Sequence, residues 1–243
     1  MQVARQAVQA ALRQICTQWG LPDAMRFDNG APWGSWGDLP PDLALWLLGM
    51  GVNLIFNRPR HKQGNAVVER AHGVLQRWSD PATCADGAAL QARLDALTTL
   101  QRERYPVGDE RRSRLETFPT LASGGRPYAP DHEADLFDER RVWTALGRLV
   151  LTRRVDKVGR ISLYNRARSV GRRWAGQAVS VRVVVREDSP LWEITATDGT
   201  VLAVHAATEL SRERILALEV SHRRIRRPKA KAPARKEGYL YAR

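Results

Sequence analysis

Cysteine is nearly absent from this 243-residue chain: Cys16 and Cys84 are far apart and alone can hold neither a structural zinc nor a disulfide framework. Long hydrophobic runs are also missing. The longest mostly apolar stretch, Leu43 to Val52, is ten residues, where a membrane span needs roughly 20. No basic-then-apolar leader opens the chain at Met1, so a cytoplasmic protein with no membrane partner is expected. Aromatic residues make up only 7%, and no internal repeat is visible. What remains is 43% apolar and 27% charged, enough for one large folded domain or two small ones.

Positive charge is in excess, and its distribution matters more than the total of +13. Residues 1–138 are nearly neutral, with 15 basic against 16 acidic side chains. Residues 139–186 hold 13 against 2, residues 187–221 hold 2 against 7, and residues 222–243 hold 9 against 1. This asymmetry points to a polyanion binder whose contacts lie in the C-terminal half, set against the plainer reading of a solvated basic surface with a disordered tail.

Periodicity divides the chain in two. Val3, Ala7, Ala10, Ala11, Ile15 and Trp19 recur at helical spacing up to Gly20. Residues 24–28 alternate as a short strand, Leu43–Leu48 reads as a helix opened by Asp38, and 52–56 is an apolar second strand. After a polar, basic loop at 60–65 comes a helix whose stripe is Val68, Ala71, Leu75 and Trp78. Strand, helix, strand, helix in this order indicates a parallel α/β unit. A further helix over about 87–104 presents Leu90, Leu94, Leu97 and Leu100. The Gly124-Gly125-Arg126-Pro127 stretch up to Glu139 reads as a linker. Five β-rich runs then follow between 148 and 205, with an Asp198-Gly199 hairpin turn, and one helix over 209–220 closes the module. The expected organisation is therefore 1–80, an α/β core; 81–138, a helical extension and linker; 139–221, a small basic β-barrel; and 222–243, a disordered basic tail.

Two acids stand out by position. Asp28 falls at the C-terminal end of a parallel strand, where α/β folds place ligand sites. Glu69 lies on the helix after the second strand, with His72, Gly73 and Gln76 on its side. Two such carboxylates could hold Mg²⁺, a pair of which serves in-line displacement at phosphorus. Taken singly, Asp-Asn-Gly is more often a turn and a helical Glu more often solvated.

The Asp28-Asn29-Gly30 after a strand and the Gly64-Asn65-x-Val67-x-Glu69-Arg70-x-His72-Gly73 helix opening, with 40 residues between the acids, alter that balance. Together with Arg154-Val155-Asp156-Lys157 and the run to Asn165, they resemble bacterial insertion-sequence transposases of the retroviral-integrase-like superfamily, over roughly residues 5–220. The resemblance implies a partial ribonuclease-H-like core followed by an SH3-like barrel. It implies Mg²⁺- or Mn²⁺-dependent DNA cleavage and strand transfer, with Asp28 and Glu69 as the second and third acids of a metal-binding triad. Arg60 and Lys62 of the basic loop, with Arg70 and Arg77 of the helix, are placed against DNA by the same resemblance.

The family's first acid sits on a strand some sixty residues or more before the second; only 27 residues precede Asp28 here. The triad is therefore expected to be incomplete, and residues 1–80 loosely held unless another chain supplies strands. The expected partners are DNA at element ends and targets, and further copies of the chain or a full-length transposase. A non-catalytic DNA-binding remnant is the alternative. In either case Arg153, Arg154, Lys157, Arg160, Arg166, Arg168, Arg172 and Arg173 form the expected DNA-contacting set of the β module, interleaved with Tyr164 and Trp174, which are more often barrel core than stacking platforms.

Overall fold

In the computed structural model, residues 4–28, 30, 32–33, 38–57, 66–122 and 124–221 are described. The loop 60–65, carrying Arg60 and Lys62, and the tail 222–243 lie outside them. Among the described residues the chain is mixed α/β with small sheets, and no helix is long and apolar enough to cross a membrane.

The first half is organised around a short helix buried on all sides. Helix α1 (Arg5–Trp19) leads to strand β1 (Ala24–Phe27), α2 (Asp42–Gly49) and β2 (Asn53–Phe56). Strands β1 and β2 pair in parallel, Ala24 opposite Asn53 and Phe27 opposite Phe56, as the β-α-β order requires. Apart from half-buried Leu48, every residue of α2 is buried. Such an all-round apolar helix is stable only inside a core, and α2 is covered by β2 and by two later helices, Glu139–Gly147 and Arg212–Leu216. At its C-terminal end the Phe137 ring lies where a side chain on Gly49 would stand, 2.0 Å from an ideal Cβ. Only glycine permits that contact.

Three expectations need correction here. The α1 stripe is turned: Ala7, Ala10, Ala11, Ile15 and Trp19 are exposed, and the buried residues are Gln9, Leu12 and Cys16. Gln9 is inside because its amide donates to the Leu216 carbonyl at 3.1 Å, a partner that periodicity does not reveal. Asp38 does not open α2, which starts at Asp42 after Pro41. In helix α3 (Ala66–Ser79) the expected stripe is not buried: Val68 is 47% and Trp78 38% exposed, and only Ser79 is buried. Helix α3 packs on α4 (Gly87–Glu103), not on a full sheet. Strand β2 likewise leaves Ile55 and Phe56 partly in water.

A short antiparallel pair, β3 (Pro106–Val107) and β4 (Arg112–Ser113), follows α4 and leads into α5 (Arg114–Thr117). Helix α5 opens on a capping box between Ser113 and Glu116. The stretch read as a linker is part of the core. Leu21 and Arg126 exchange backbone hydrogen bonds at 2.8 Å each, Tyr128 and Phe137 are buried, and helix α6 (Glu133–Leu136) brings Glu133 inside. Glu133 accepts two hydrogen bonds from Arg13, one from the Trp46 indole and one from the Tyr128 hydroxyl. Burial pushes its carboxyl up, but the Arg13 and Tyr128 bonds outweigh this and hold it below the usual value.

Helix α7 (Glu139–Gly147) packs on a four-stranded antiparallel sheet in the order β10-β9-β8-β5, and β6 and β7 form a separate hairpin. These strands are β5 (Leu151–Arg154), β6 (Arg160–Leu163), β7 (Arg166–Ser169), β8 (Ala178–Arg186), β9 (Ser189–Thr195) and β10 (Val201–Ala206). The expected Asp198-Gly199 turn joins β9 to β10, with Gly199 at positive φ. Alternation along β8 buries Val179, Val181 and Val183 and turns Ser180, Arg182, Val184 and Arg186 outward. The expected closing helix is a 3₁₀ turn plus α8 (Arg212–Leu216), after which Leu218 and Val220 remain buried. One apolar cluster runs continuously from Leu12 to Val220.

Candidate nucleic-acid interface

The two halves meet at the N-terminus of α2 through polar contacts that engage several arginines. Arg153 donates from both terminal nitrogens to Asp38, at 2.7 Å each, and from Nε to the Ser162 carbonyl. The Arg153 hydrogen bond holds the Asp38 carboxyl below its usual range. Tyr164, buried against Trp192, donates to the Pro40 carbonyl at 3.1 Å. Burial, reinforced by the nearby Asp42, Glu209 and Asp38 charges, pushes the Tyr164 hydroxyl well above its ordinary value. Asp42, fully buried, accepts from Arg5 and from the hydroxyl and amide of Ser221.

The eight cations expected on the β module therefore divide. In the β6–β7 hairpin, Ile161 stands opposite Arg168 and Leu163 opposite Arg166, so both arginines share the buried face. Arg168 is paired with the fully buried Glu209, which also accepts from the Trp192 indole. Arg166 is partly buried, with its Nε unpartnered. Arg168 is thus held by a buried carboxylate, whereas the Asp38 that holds Arg153 is itself about half exposed. The remaining five, Arg154, Lys157, Arg160, Arg172 and Arg173, are exposed. Arg154 donates only to the Gly176 carbonyl, Arg160 lies 3.6 Å from Asp156, and Arg173 lies over the Trp174 ring at 5.4 Å.

Sequence reasoning missed Arg182 and Arg186, which stand on the outer face of β8. Both donate to the buried Glu193 of β9, so the three together keep one net positive charge, with the two arginine side chains more than half exposed. Period-two alternation with the apolar positions 179, 181 and 183 was the signal available for them.

Asp28 follows β1, is exposed, and accepts from the Gly30 amide at 3.1 Å, as an Asx-type turn does. Glu69 is exposed in the first turn of α3. Arg70 and Arg77 are exposed on the same helix, with Arg77 folded over Gly73. Among the described residues no group of three or more His, Cys, Asp or Glu side chains could hold a metal ion. Asp28 and Glu69 are thus two exposed carboxylates that belong to no such group among the described residues. Comparison of the chain with known protein-family models finds no match.

Proposed function

We propose that this chain binds DNA through its C-terminal β module, as part of an integrase-like transposase. The observation that carries the reading is the set of five exposed cations, Arg154, Lys157, Arg160, Arg172 and Arg173, on a module in which Arg153 and Arg168 are already paired with carboxylates. Guanidinium and ammonium groups free to meet solvent can meet phosphate oxygens and release counterions; those locked to buried carboxylates cannot.

In the finer form of this reading, β1–α2–β2–α3 is part of a ribonuclease-H-like core and the six-stranded module is an SH3-like barrel. Asp28 and Glu69 are two acids of a divalent-metal triad that lacks a third carboxylate among the described residues. DNA binding is the activity assigned to this chain, because the exposed cations of the β module support it directly. Its partners are element-end and target DNA and further copies of itself or of a full-length transposase, and its location follows the DNA.

Fluorescence anisotropy with a labelled 20-base-pair duplex tests this. Five phosphate contacts give a log–log salt slope of about −4.5, a loss of roughly 500-fold in affinity between about 50 and 200 mM salt. Replacing Arg172, Arg173 and Lys157 by Ala lowers the slope by about 2.7. Affinity that stays flat across this salt range refutes the proposal.

A further inference from the structure

A cleft of about 580 Å³ lies at the opposite end of the β1–β2 sheet from Asp28. Its walls are the end of α2 and the start of β2 on one side, and one face of α7 on the other. Arg126, Arg140, Arg141 and Arg148 line it against a single acid, Asp138. Nothing in the sequence reading singled out these residues, because the arginines are spread over 23 positions and only the fold collects them.

We propose that this cleft is a second nucleic-acid contact, one that takes the phosphodiester backbone of a strand. The proposal rests on the DNA-binding reading above and adds a site to it. Helix α7 buries Val142, Trp143 and Leu146 and turns Arg141, Thr144 and Arg148 into the cleft. Arg141 and Arg148 are seven residues apart, about 10 Å along the helix axis, which matches about three 3.4 Å steps of one strand.

Two of the guanidiniums, those of Arg126 and Arg141, are held in place before any ligand arrives. Arg126 donates to the Met50 and Gly51 carbonyls at 3.0 and 2.9 Å, with its Nε 3.9 Å from Asp23. Arg141 lies across Gly51, whose absent side chain leaves room for it: an ideal Cβ there would stand 1.7 Å from the guanidinium. Asp138 caps α7 by accepting the Arg140 amide at 2.9 Å and sits 3.6 Å from Arg141. Arg140 is drawn out of the cleft to Asp188 at 2.9 Å. Arg148 has no ion-pair partner among the described residues and is exposed, so it is the cation most open to a phosphate. Fixed donors lose little freedom on binding, which favours an anion with several phosphate groups over a neutral ligand.

The test measures duplex binding by Arg148→Glu and Arg141→Gln/Arg148→Glu, with circular dichroism confirming the parental fold. The expected result is a loss of at least tenfold in affinity at about 100 mM salt and a salt slope smaller by about 1 to 2. Thr98→Ala, on the exposed surface of α4 and outside the cleft, should bind as the parent does. In a second arm, duplex DNA, but not 1 mM inorganic phosphate or a nucleoside triphosphate, should protect Arg141 and Arg148 from an arginine-specific dicarbonyl reagent, as read by mass spectrometry. Parental affinity and slope in the double variant overturn the cleft proposal, as does protection by the small phosphates alone. If the Arg172, Arg173 and Lys157 substitutions still lower the slope while the cleft variants do not, the DNA-binding reading stands and only the cleft falls.

Discussion

Replacing Arg168 by Met removes the cation that faces Glu209 without removing the side chain's bulk. Glu209 is fully buried, and Arg168 is only 16% exposed, so the pair lies in a poorly solvated place. Breaking a buried pair by deleting one partner costs about 3–5 kcal/mol, because the other charge is left uncompensated. The Trp192 indole still donates to Glu209 at 2.8 Å, which places the loss near the lower end, about 3 kcal/mol. For a chain of this size that lowers Tm by about 6–12 °C. The double variant Arg168→Met/Glu209→Gln removes the stranded charge and should recover more than half of the loss. Thermal melts by circular dichroism measure both. Duplex binding by Arg168→Met, measured well below its Tm, should keep the parental salt slope, because this arginine does not reach phosphate. A Tm within about 2 °C of the parent, or an unchanged Tm with a slope smaller by about one, refutes the division of the arginines into folding and binding sets.

Gly49→Ala places a methyl group into the Phe137 ring and should destabilise by about 1–3 kcal/mol, with the denaturant m-value unchanged in urea melts. The Glu133 carboxyl is held below its ordinary value of 4.5 in the folded state, so its contribution is fully present above that pH and is lost as pH falls through the depressed value. Tm measured from pH 7 downward should therefore fall below about pH 4.5, and Glu133→Gln should be less stable at pH 7 and lose less of its stability on acidification. In hydrogen exchange, amides of 24–27 and 53–56 should exchange faster than those of 179–185 and 191–194. A two-stranded sheet with Ile55 and Phe56 partly in water opens more readily than the middle of a four-stranded one; equal protection in the two sheets would contradict this.

How much was legible depended on whether a residue's role is set by its neighbours in the chain. The strand β1, the buried helix α2 and the hairpin at Asp198-Gly199 follow from apolar runs, alternation and turn chemistry, all of them local. The face of α1 was misread because Gln9 looks unsuited to a core. Gln9 is inside only because the Leu216 carbonyl, distant in sequence, accepts its amide. The 124–139 stretch looks like a linker by composition, yet Phe137 fits against Gly49 and Glu133 collects donors from α1, α2 and Tyr128. No window of sequence contains those partners.

Charge shows the same division most clearly. The sequence by itself determined that 139–186 is strongly basic, that Asp28 and Glu69 sit at a strand end and a helix start, and that no long apolar run exists. Tertiary structure decided which cations are free. It set Arg153 against Asp38 and Arg168 against Glu209, left Arg154, Lys157, Arg160, Arg172 and Arg173 in solvent, and gathered Arg126, Arg141 and Arg148 around one cleft. The reason is physical: a charge count is a property of composition, whereas a guanidinium's availability depends on whether a desolvated carboxylate from a distant segment already holds it.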